Sequence, residues 1–223
     1  MARRTKEEAL VTRNKLLDAA ECLFQSQGVS RTSLQDIALR AGATRGAVYW
    51  HFKDKADLFN AMMERVTLPL EGYFNHEDSP AEKMPADAHA LDRTRNAILK
   101  ALNQIVNDAQ TRRVLEVATQ KVEYIEELKT IRLRHLTARN GFLCRVQQGL
   151  DAASRHENLT FPLSNAIAAR GLHALIDGLI QNWLLDPEAF DLLEAGQCTM
   201  DIYFTGLGFG SAQPTRALPA EEK

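Results

Sequence analysis

Three observations predict an all-α protein. Apolar residues return at helical spacing in almost every segment, no stretch alternates cleanly enough to be a strand, and capping residues recur where the periodic runs begin. The chain has 223 residues, 45% of them hydrophobic, which is ample material for a core. Its composition fits a small domain welded to a larger one.

The elements follow in order. A first helix is expected over about 7–27, with Leu16, Leu17, Ala20, Leu23 and Phe24 as its buried stripe. Gly28 stands where a left-handed C-terminal residue is wanted. The stretch RTSLQDIALRAGATRGAVYWHF then reads as two short helices in close succession. Thr32 or Ser33 caps the first, with Gln35 or Asp36 completing a capping box. Leu34, Ile37, Ala38 and Ala41 form its inner face. Gly42 makes the turn, Thr44 caps the second helix, and Val48 and Phe52 point back to the core.

Asp54 with Asp57 marks the next start, and a long helix runs through Leu58, Met62 and Val66 to about 74. Pro69 inside it removes a donor and crowds the carbonyl of Arg65, so a kink is expected there. Residues 75–86 have loop composition. Helical periods resume over about 87–107, 111–119 and 121–154. Pro162 precedes a strongly apolar helix over 163–185, and Asp191 with Glu194 opens a last one to about 207. The tail SAQPTRALPAEEK reads as disordered. The expected division is therefore a head over 1–54, a connecting helix over 55–74, a body over 75–210 and a tail over 211–223.

Two short helices joined by a tight turn, after one long helix, make a helix-turn-helix pattern. Arg45, Gly46, Tyr49 and Lys53 fall on the face opposite Val48 and Phe52. Arg45 can reach a guanine edge or a phosphate. Gly46 and Ala47 carry almost no side chain, so the helix start can approach the groove and offer its free N–H groups to phosphate. Tyr49 and His51 present polar tips to backbone oxygens, and Lys55 opens the next helix near the same strand. The competing reading makes the aromatics core residues and His51 a structural one. Phe52 fits that reading best, and Trp50 reads foremost as structural with DNA contact second.

Charge supports a head that meets phosphate. Residues 1–65 hold eleven Lys/Arg against eight Asp/Glu, a net +3, so the rest of the chain carries −5 of the overall −2.

At this point a resemblance is visible. RTSLQDIALRAGATRGAVYWHFKDKADLF resembles the DNA-binding signature of the TetR family. MARRTKEEAL, TRGAVYWHF and DGLIQNWLLDPEAFDLL resemble the branch that represses RND multidrug efflux pumps. The resemblance implies nine helices: a three-helix DNA-binding head and a larger ligand-binding and dimerisation body, its last two helices pairing in a four-helix bundle across a homodimer. It implies DNA contacts by Thr44, Arg45, Tyr49, His51 and Lys55, supported by Ser33, with Arg3 and Arg4 following the minor groove. It also implies an acidic pocket residue at the position of Asp177.

In the body, 163–185 is apolar on several faces, more than one protomer needs, so the last two helices are the expected dimer seam. His173, Asp177 and Gln181 recur at i, i+4 and i+8. The row can line a ligand cavity beside Ile176, hydrogen-bond across the dimer, or lie in solvent. Glu116 is a second polar pocket candidate or a solvated surface residue. Phe142, Val146, Ile98 and Ala101 are the candidate apolar wall. The guest expected is a small hydrophobic or aromatic, drug-like effector. Its entry would shift the fourth helix and spread the two heads beyond groove spacing.

An enzyme is the first rival, but no GxSxG elbow, HExxH, phosphate loop or Cys/His cluster with metal spacing is present, so neither catalysis, metal nor cofactor is expected. A nucleoid-type DNA binder would be basic throughout. The remaining alternative is a TetR-type regulator of another operon that senses a metabolite or a protein partner. Cys22, Cys144 and Cys198 form no CxxC pair and read as reduced thiols of a cytoplasmic protein. No apolar run reaches the roughly 20 residues of a membrane span, and the N-terminus has no signal-peptide core. The expected DNA partner is a double-stranded palindromic operator.

Overall fold

The computed structural model describes residues 6–75, 89–123, 128–160 and 163–210, with the side chains of 67–75 outside the description. Among the described residues there are nine helices and no strand: α1 (Lys6–Gln27), α2 (Leu34–Arg40), α3 (Arg45–His51), α4 (Lys55–Asn75), α5 (Ala90–Asn107), α6 (Ala109–Gln120), α7 (Lys129–Glu157), α8 (Asn165–Leu185) and α9 (Leu192–Gly206). The loop expected over 75–86, the Pro69 kink, Pro162, the arm with Arg3 and Arg4, and the tail from 211 fall outside what is described.

Local chemistry sets the helix ends. The Ser33 side chain accepts from the Asp36 amide while the Asp36 carboxylate accepts from the Ser33 amide, a reciprocal capping box that starts α2. The Ser33 hydroxyl and the Ser33 amide, both donating to it, hold the Asp36 carboxyl below its ordinary value. Asp54 accepts from the Asp57 amide and Asp57 accepts from the Lys53 amide, which opens α4 in the same way. Gly28 (φ +86°) and Gly42 (φ +65°) occupy the left-handed region at the ends of α1 and α2, where a side chain would be strained. Asp191 accepts from the Leu193 and Glu194 amides at the head of α9.

Of the helix starts that depart from expectation, two have a visible cause. Asp108 caps α6 by accepting from the Gln110 and Thr111 amides, so the helix begins two residues before Thr111. The helix expected over 121–154 starts late: α6 ends at Gln120 and α7 begins only at Lys129. The cause is tertiary. The Lys121 carbonyl, which a continuing helix would use, accepts instead from the Val29 amide at 3.1 Å, in the turn after α1. At its far end α7 closes on Asn158, a left-handed residue (φ 53°).

Packing gives two cores rather than one. The first joins α1–α4 through Leu16, Leu17, Phe24, Ile37, Val48 and Phe59, and it also takes in Val114, Val117 and Ala118 of α6 and Ile131 of α7. The second is built from α5, α7, α8 and α9, with Ile98, Leu102, Val146, Leu172, Met200 and Phe204 at its centre. Helix α6 therefore belongs by its buried face to the head, although it follows α5 of the body.

Candidate functional site

Helix α3 is held by one face and open on the other. The Thr44 side chain accepts from the Ala47 amide (3.2 Å), and Val48 and Phe52 are buried in the head core. Seven residues with two anchors at i and i+4 leave the opposite face fixed in direction. Arg45, Gly46 and Tyr49 lie there, all exposed. The Arg45 guanidinium donates to the Tyr49 hydroxyl (3.3 Å) and lies 5.5 Å from its ring, so the two side chains form one stiffened unit. Ala47 is half-buried at the helix start.

Trp50 corrects one expectation. Read foremost as a core aromatic, it is 72% exposed, because it stands two residues, about 200° around the helix, from buried Val48. His51 packs edge-on against it at 4.5 Å. Lys53 is exposed just past the helix. Ser33, Arg45, Tyr49 and Lys55 converge with Thr32, Leu34 and Gln35 on a concave notch of about 350 Å³ between α2 and α3. Its floor is rigid: the Lys55 ammonium donates to the Ser30 and Thr32 carbonyls (3.0 and 3.1 Å), clamping the turn before α2.

The second feature is a cavity of about 240 Å³ among α4 to α8. Of the residues expected to line it, Ile98, Ala101, Phe142, His173, Ile176 and Asp177 do. Three do not, each for a stated reason. Val146 is fully buried in the body core. Gln181 lies beyond the rim and donates to the Asp177 carboxylate from the next turn. Glu116 turns away from the cavity and accepts from Gln25 of α1 (2.8 Å).

Sequence reasoning missed the rest of the wall. Phe59 and Met63 of α4 and Leu115 and Ala118 of α6 come from the head side, while Leu102 and Ile105 come from α5. Helix α7 adds Ile131, Arg134, His135, Ala138, Arg139 and Arg145. Their spacing is that of one helical face, but its arginines make it read as solvent-facing. His173 packs against Phe142 with ring centroids 5.3 Å apart. Burial holds its pKa below the ordinary 6.5, Asp177 opposes that, and Arg139 and His135 nearby reinforce it.

The cavity thus spans both cores: Phe59, Met63, Ala118 and Ile131 belong to the head's, Ile98, Leu102, Ile105 and Ile176 to the body's. Residues 16–62 match the model of bacterial regulatory proteins of the tetR family, and residues 89–209 match the C-terminal region of MAATS-type transcriptional repressors. The chain belongs to the tetR family of transcriptional regulators. Among its TetR relatives, the HTH-type transcriptional regulator TtgR of Pseudomonas putida is 38% identical over 193 residues, covering 86% of this chain and 90% of TtgR. The crystal structure of NalD, the secondary repressor of the MexAB-OprM multidrug efflux pump in Pseudomonas aeruginosa, superposes with a TM-score of 0.79 at 36% identity, over 91% of this chain and 98% of NalD. A complex of SmeT with triclosan does so with a TM-score of 0.76 at 29% identity, over 93% and 99% of the two chains. As a TetR-family protein the chain is a regulator and not an enzyme. No helix among the described residues is long and apolar enough to cross a membrane.

Proposed function

We propose that this TetR-family protein is a homodimeric, cytoplasmic repressor that binds a palindromic operator through α3 and is released when a hydrophobic effector occupies the cavity between its two cores. The regulated genes are those of a multidrug efflux pump, as the names of NalD and of its relatives state for those proteins. The observation that carries the reading is the cavity's position. A guest seated between Phe59 and Met63 on one side and Ile98 and Ile176 on the other touches the head core and the body core at once. A guest that fits only when those walls move apart binds one arrangement of the two cores better than the other. That differential affinity is what shifts the equilibrium.

On the DNA side, Arg45 and Tyr49 read the major groove, Gly46 and Ala47 let the helix start come close, and Thr44, His51 and Lys53 meet the phosphates. Ser33 and Lys55 act mainly by fixing the notch, with Trp50 against the sugar-phosphate edge. The 66–223 segment, acidic overall, stays off the duplex.

The test is fluorescence anisotropy with a labelled duplex covering the DNA upstream of the protein's own gene, titrated with triclosan as effector. The wild type binds it over random DNA and triclosan releases it. Arg45→Ala weakens binding about tenfold to a hundredfold, as loss of a bidentate base contact does. Ala101→Trp, which fills the cavity, keeps operator binding and loses release. No preference for that duplex over random DNA, or release unchanged in Ala101→Trp, would overturn the reading.

A further inference from the structure

The charge on the cavity wall is one-sided. Among its described lining residues are three arginines, Arg134, Arg139 and Arg145, and a single acid, Asp177. All three arginines come from α7, with His135 on the same face, opposite the apolar wall of α5 and α6. Their surroundings differ. Arg134 is paired with Glu64 of α4 at 3.3 Å. Arg145 folds back along α7 beside Gly141. Arg139 donates to the neutral Asn140 side chain, and its charge is felt across the cavity at His173. Asp177, the one carboxylate, already accepts from Gln181 of its own helix.

We infer that the cavity selects amphiphilic anions, an aromatic body seated against α5 and α6 with its carboxylate on Arg139. The inference rests on the cavity being the effector site and adds the chemical class of the guest. Desolvating a carboxylate in an apolar cavity is costly unless a fixed counter-charge with hydrogen-bond donors awaits it, and a guanidinium offers two parallel donors in a plane. A cationic guest of the same shape would meet the Arg139 guanidinium, while the one carboxylate on the wall already accepts from Gln181.

Isothermal titration of the full-length protein at pH 7.5 with 2-naphthoate, 2-naphthalenemethanol and 2-naphthylmethylammonium tests it, since the three share one ring system. The anion binds at least about tenfold tighter than the alcohol, the range of a hydrogen bond to a charged group, and the ammonium binds weakest. Arg139→Gln removes the anion's advantage and leaves the alcohol's affinity unchanged, which also shows the variant folded. Ala101→Trp abolishes binding of all three.

Equal affinities, all lost in Ala101→Trp, leave the cavity as an effector site and overturn its selection of anions. An ammonium bound most tightly, and weakened by Asp177→Asn, overturns it in favour of cations. Failure of all three to bind overturns the cavity reading together with the inference.

Discussion

Single residues carry the sharpest chemistry, and Glu21 shows what burial does to one. It is 3% exposed on α1, where its carboxylate accepts from Arg65 of α4 and from Gln110 of α6, both at 2.8 Å. Burial outweighs both partners and raises its pKa above the ordinary 4.5. The folded protein therefore holds this proton more tightly than the unfolded chain does. Its contribution to stability falls as pH rises from about 4.5 through the folded pKa and stays lost above it. Glu21→Gln keeps an acceptor for both donors and never ionises. Its melting temperature relative to the wild type should rise as pH is taken from 4 to 7, and a gap that is constant or shrinks with pH would refute the burial argument. Residues fixed by local rules, Ser33, Asp36, Thr44 and Asp191, were legible in the sequence because a cap needs only its own turn. Trp50 and Glu116 were not, since which way they face depends on a neighbouring helix the sequence does not display.

The same limit explains the elements. Every helix was visible as a period, and so was the break between α6 and α7; the late start of α7 was not, because the Lys121 carbonyl is taken by the Val29 amide, a contact no local pattern announces. That contact is one of several that lash α6 to α1: Gln25 donates to Glu116, Gln110 donates to Glu21, and the Arg113 guanidinium contacts the Cys22 thiol at 3.8 Å. On its other face α6 presents Leu115, Ala118 and Thr119 to the cavity. One helix thus lines the cavity and touches the first helix of the head, and α4 likewise lines the cavity through Phe59 and Met63. Cutting the lashing should weaken communication more than either site. Glu116→Ala should raise the effector concentration for half-release by about fivefold or more, the lower range of coupling free energies, while operator affinity changes less. Unchanged half-release in an anisotropy titration would leave α4 as the sole link.

At the scale of the molecule, one protomer leaves apolar surface that its own core does not use. On α8, Ile167 and Leu175 are exposed, and on α9 Ile202 is 74% exposed in line with Cys198 and Gly206 at i−4 and i+4. Gly178 and Gly206 face open space, so a second helix could approach both backbones closely. The helices are locked to each other from within by the Tyr203 hydroxyl, which donates to the Ala168 carbonyl at 2.7 Å, so the outer face is presented as a fixed plane. A two-fold copy docked on that plane would bury these residues, and an operator read by two α3 helices needs them at the spacing of successive major grooves, about 34–36 Å. Ile202→Arg places a charge where the partner's apolar face should sit. The variant should sediment as a single chain, keep its helical circular dichroism, and lose about a hundredfold or more in operator affinity, because each head then binds a half-site without its linked neighbour. A variant that remains paired and binds the palindrome like the wild type would remove α9 from the seam.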